Sequence, residues 1–182
     1  SVVLTDTTDA GDIEFTAALT TATLTTATQA YDLELFGSGT IITNATTFAN
    51  TGTLTLGDAA ADTLLFNGGL TATAPSGVTL NGQLRSSGDT ISLGEAGTGV
   101  TLAGTTSIID TTNAGGTAGG GAITVAGAVV GTGANTQSLT LNAGTGGAIS
   151  FSSTIGAATT LATLTVTNSA SATFTGAVTA AT

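Results

Sequence analysis

The 182-residue chain sets one cation, Arg85, against eleven acids, for a net charge of −10, and it contains neither His nor Cys. With nothing to displace phosphate counterions, nucleic acid and anionic membrane surfaces are excluded as partners. Disulfides, thiolate nucleophiles, His-based triads and zinc sites of the usual kind go with them. No apolar run approaches the length a spanning helix needs, so no membrane insertion is expected.

Hydrophobic residues make up 41% of the chain but aromatics only 4%, with six Phe, one Tyr and no Trp or Met. A thick globular core is hard to build from such side chains. A thin core of Leu, Ile, Val and Ala between close-packed strands is easy, and the abundant Thr and Gly suit pleated surfaces and tight bends.

In chain order, Val2, Val3 and Leu4 read as a short strand, and Thr5-Asp6-Thr7-Thr8-Asp9 as an acidic turn. An apolar–polar–apolar triplet then keeps returning: Ile13-Glu14-Phe15, Leu33-Glu34-Leu35, Leu54-Thr55-Leu56, Val78-Thr79-Leu80, Val100-Thr101-Leu102, Ile123-Thr124-Val125, Ile149-Ser150-Phe151 and Ala172-Thr173-Phe174. Alternation with a period of two marks a half-buried strand. Recurrence every 20 to 26 residues marks a solenoid. Stacked, the triplets predict one structural ladder running Phe15, Leu35, Leu56, Leu80, Leu102, Val125, Phe151, Phe174.

A small residue two places after the triplet and an apolar one four places after it recur, as in Leu80-Gly82-Leu84, Val125-Gly127-Val129, Phe151-Ser153-Ile155 and Phe174-Gly176-Val178. They predict a bend followed by a second short strand. The looser returns carry apolar pairs of their own, among them Leu64 with Phe66, Ile91 with Leu93, Leu139 with Leu141 and Leu164 with Val166. Asn67-Gly68 and Asn81-Gly82 read as turns, and Pro75 sits between strands. The run NAGGTAGGG, Asn113 to Gly121, reads as a loop bulging from one coil, because the triplets at Val100 and Ile123 stay in step.

The expectation is therefore an all-β parallel β-helix, a single β-solenoid segment over residues 1–182 with about eight coils of roughly 22–23 residues. Neither terminal stretch resembles a capping element. If a second copy followed Thr182, its Phe15 would be the 23rd residue after Phe174. A tandem array or a head-to-tail homopolymer is expected on that count, with self as the chief partner.

The pieces TGTLTLGDAAADTLLFNGG (51–69), GVTLNGQLRSSGDTISLG (77–94), SLTLNAGTGGAISFSS (138–153) and LATLTVTNSASATFTGAVTA (161–180) resemble the repeats of filamentous-haemagglutinin-like, β-strand-repeat bacterial exoproteins. The resemblance implies a right-handed parallel β-helix, export to the cell surface or beyond, and a role as adhesin, sheath or fibre.

Chemistry has few places to reside, and an enzyme is not expected. Asp-apolar-Glu-apolar occurs twice, at Asp12-Ile13-Glu14-Phe15 and Asp32-Leu33-Glu34-Leu35. Alternation places Asp12, Glu14, Asp32 and Glu34 in one outward grid with rungs about 4.8 Å apart. Hard oxygen ligands of this kind suit Ca²⁺; a raised pKa is the other escape from their repulsion, and a hydrated acidic patch is the plain alternative. No other cofactor is expected. Gly57-Asp58-Ala59-Ala60-Ala61-Asp62 only faintly resembles a Ca²⁺-binding nonapeptide repeat.

The triplet centres form an outward ladder of hydroxyls, read as β-propensity and same-face packing. Regular Thr ranks also suit an ice or crystal surface, though Asn81, Ala103 and Ala126 interrupt a Thr-x-Thr row. Three functions remain: a length-giving segment of an extracellular fibre, an adhesin stalk that recognises a glycan or cell-surface receptor, and ordered-surface binding through Thr ladders. Tyr31 is the one tyrosine a sugar-stacking adhesin would have.

Overall fold

A computed structural model describes residues 1–5 and 11–182; the acidic turn expected around Asp6 to Asp9 lies outside the described residues. The described chain is all-β, with parallel strands stacked into a solenoid of about seven turns. Each turn has three sides.

Strand β1 (Val2–Leu4) lies on the third side. The first full turn follows as β2 (Asp12–Phe15), β3 (Thr20–Thr21) and β4 (Leu24–Thr26), and the second as β5 (Asp32–Leu35), β6 (Thr40–Ile42) and β7 (Thr46–Thr47). The third runs β8 (Thr53–Leu56), β9 (Thr63–Phe66) and β10 (Leu70–Ala72). In the fourth, one strand, β11 (Gly77–Arg85), covers the first two sides before β12 (Ile91–Leu93). The fifth repeats this with β13 (Val100–Asp110) and β14 (Ile123–Val125). The sixth is β15 (Val129–Gly131), β16 (Ser138–Asn142) and β17 (Ala148–Phe151). The seventh is a bridge at Ile155, then β18 (Thr163–Asn168) and β19 (Ser171–Phe174).

Register places like on like. On the first face Phe15, Leu35, Leu56, Leu80 and Leu102 stand in one column. On the second face Leu64, Leu84, Ile109, Leu141 and Val166 do the same. On the third face the column is Ala72, Leu93, Val125, Phe151 and Phe174. The three columns enclose a core in which most Leu, Ile and Val side chains are fully buried. Two aromatic contacts join it. Phe48 meets Phe66 edge-on at 5.8 Å, and Phe151 lies 5.5 Å from Phe174 on the next rung. The returns read as loose in the sequence are thus two further ladders: Leu64, Leu139 and Leu164 face inward on the second side, Leu24, Ile91 and Leu93 on the third.

The single eight-residue ladder divides in two. Leu102 pairs with Gly131, not with Val125, and Val125 sits on Leu93. Phe15 to Leu102 belong to the first face; Val125, Phe151 and Phe174 belong to the third. The cause is the Gly-rich loop. It does bulge from one coil, at the corner between the second and third faces, where Asp110 and Ile123 are much farther apart in sequence than Arg85 and Ile91 at the same corner one turn earlier. The extra residues bring the next face of the same turn to the place in the sequence where the next turn was due. Counting from Phe174 to a following Phe15 likewise joins the third face to the first, so that interval does not measure one coil.

The bend-and-small-residue motif marks two different corners. At Gly82, between the first and second faces, φ is +108° and the register shifts by way of an irregularity between Leu80 and Gly82. A Cβ there would lie 2.7 Å from the Asp62 carbonyl oxygen, so the corner needs glycine for both conformation and space. Gly127, Ser153 and Gly176 mark the corner from the third face to the first.

Leu80 is fully buried between Leu56 and Leu102. Leu80→Ala is expected to cost about 2–5 kcal/mol, whereas Thr79→Ser beside it, facing outward, should cost less than about 0.5 kcal/mol. Denaturant unfolding followed by circular dichroism checks the contrast.

Candidate functional site

The first candidate is the acid grid. Asp12 pairs in register with Asp32, and Glu14 with Glu34, on the outer side of the first face, as the alternation predicts. On the next rung Thr55 stands over Glu34. The Asp32 carboxylate accepts a hydrogen bond from the Thr53 backbone N–H, which ties the second turn to the third. Among the described residues no three acidic groups come together as ligands of a cation. The grid is a pair of stacked rungs, with Asp12 and Glu14 exposed and Asp32 and Glu34 half-buried, and not a closed shell. Its repulsion emerges as a pKa effect at Glu34, whose carboxyl is raised by burial first and then by the charges of Glu14, Asp12 and Asp32.

A folded-state pKa above the ordinary value means that the stability tied to Glu34 is present in acid and lost as pH rises through the raised value. Glu34→Gln should therefore raise the thermal midpoint near neutral pH, through a stability gain of less than about 1 kcal/mol because water and salt screen these charges. The gain should vanish below the usual carboxylate range, and melting curves at both pH values check it.

The segment from Gly57 to Asp62 closes on itself. One Asp62 carboxylate oxygen accepts the backbone N–H of Asp58 at 2.9 Å and of Ala59 at 2.8 Å. Burial pushes the Asp62 carboxyl up, but those N–H groups and the side chains of Asp58 and Ser38 outweigh it and leave the group below its ordinary range. The Asp58 carboxyl is raised, chiefly by its hydrogen bond to Asp62 and then by burial and the Asp62 charge. These groups make a turn-closing device at the corner between the first and second faces.

A second polar feature escaped the sequence reading. At the corner between the second and third faces, Asn44 Nδ2 donates to Thr23 Oγ1 at 2.9 Å and Ser87 Oγ donates to Asn67 Oδ1 at 2.7 Å. Asn113 Nδ2 donates to Ser87 Oγ at 3.2 Å, and Asn142 Nδ2 to Thr112 Oγ1 at 3.1 Å. Asp110 anchors the start of the Gly-rich loop by accepting from Thr112 N–H and O–H and from Ala114 N–H. The signal was present: Asn stands one or two residues after the inward pair of a second-face strand at Asn44, Asn67, Asn142 and Asn168.

The hydroxyl ladder is redistributed with the faces. On the first face the outward centres are Glu14, Glu34, Thr55, Thr79, Thr101 and then Val130. On the third face Thr47, Thr71, Ser92, Thr124, Ser150 and Thr173 follow one another in register without a break. Of the residues that interrupt the Thr-x-Thr row in the sequence, Asn81 and Ala103 do not belong to this face, but Ala126 directly follows β14 and interrupts a second row beside this one. Tyr31 is fully buried. Arg85 is half-buried in β11, its guanidinium donating to the Gln83 side chain. No pocket opens in the surface of the described residues.

No protein-family model matches the chain, and no curated protein or solved structure matches it either.

Proposed function

We propose that the chain is a non-enzymatic, length-giving segment of an extracellular bacterial fibre, continued end to end through the edges of its coils. The observation that carries this reading is the axial pairing on three faces, broken between strands of the described residues only on the third face from β4 to β7, in which nearly every buried side chain serves the stack. Chemistry in this molecule is spread along rows instead of converging on a point. Ile13, Phe15 and Leu19 at one end and Leu164 and Phe174 at the other are partly buried, and Val178 is 43% exposed. One more coil, supplied by the same chain or by another copy, would cover them and add a full set of axial hydrogen bonds.

A strand paired on both axial sides is a poor protease substrate, because it opens only together with its neighbours. Arg85 is the only residue trypsin recognises, and it sits in a paired strand with its side chain engaged. Native protein is expected to survive limited trypsin digestion as a single band, while the denatured chain is cut in two; prompt cleavage under native conditions counts against the reading. Negative-stain micrographs test assembly directly: uniform filaments one solenoid wide support it, and dispersed short rods favour a stalk. The sugar-stacking adhesin gains nothing from Tyr31, which is buried.

The unbroken third-face row favours one second reading, contact with an ordered surface such as ice through hydroxyls about 4.8 Å apart. Thr124→Lys would place a long charged side chain in the middle of the row without touching the core. Thermal hysteresis present in the parent protein and abolished in the variant, with unchanged melting of the protein, is the expected result on this reading. A parent protein without hysteresis removes it.

A further inference from the structure

We draw no further inference here: the strongest candidate, the four-carboxylate grid that Asp12, Glu14, Asp32 and Glu34 form on the outer side of the first face, is an acidic cluster, and nothing else in the structure points to a ligand for it.

Discussion

Parallel hydrogen bonding along the axis is the constraint from which the other features follow. Each rung holds the next in register, so a residue meets its counterpart one turn away at close range on both the inner and outer side. Inside, this stacks Leu35 on Leu56 and Phe151 on Phe174. Outside, the same rule stacks Glu14 on Glu34, and there it works against stability. A single coil could not persist, because ordering its backbone costs roughly 1–2 kcal/mol per residue while each inward side chain returns about 1.5–3 kcal/mol when fully buried. Neighbouring coils make up the difference, and this is why the fold exists only as a pile.

The corners carry the polar chemistry. Where the chain turns from one face to the next, backbone groups leave the axial ladder and need other partners. Asp62 closes one such turn, and Gln137 another, accepting from Gly133 N–H at 3.0 Å and donating to Thr132 at 2.9 Å. Asn50 donates to the carbonyls of Tyr31 and Thr53 at a third. The Gly-rich loop shows how tolerant a corner is. It lengthens one turn without disturbing the faces on either side, since Ile123 still pairs with Ile91 below and Ile149 above. Extra chain at a surface corner costs little loop entropy, whereas an extra residue within a face shifts the register and has to be absorbed as a local irregularity, as where Leu141 and Asn142 face Val166 and Asn168.

The surface is correspondingly one of rows. The first face bears stacked acids at one end, the third a file of hydroxyls, and the second the lone arginine. Rows of like residues are what in-register stacking produces wherever successive turns keep the same residue type.

What the amino-acid sequence determined by itself was the kind of object. Triplets such as Leu54-Thr55-Leu56, returning at a coil's length, require stacked strands because alternation and period are local properties of the chain. It also determined the in-register acid pairs, since Asp12-Ile13-Glu14 and Asp32-Leu33-Glu34 are identical in pattern and separated by one coil. Only the tertiary structure decided which triplet stands on which face. Ile123-Thr124-Val125 reads the same as Val100-Thr101-Leu102, and a strand's pattern records that one side is buried without recording which of three walls it belongs to. The corner loops set that assignment, and their length acts only once the neighbouring turns are in place; the Asn side-chain hydrogen bonds between turns and the hydroxyl file of the third face became visible for the same reason, as contacts between residues that are neighbours in the stack but not along the chain.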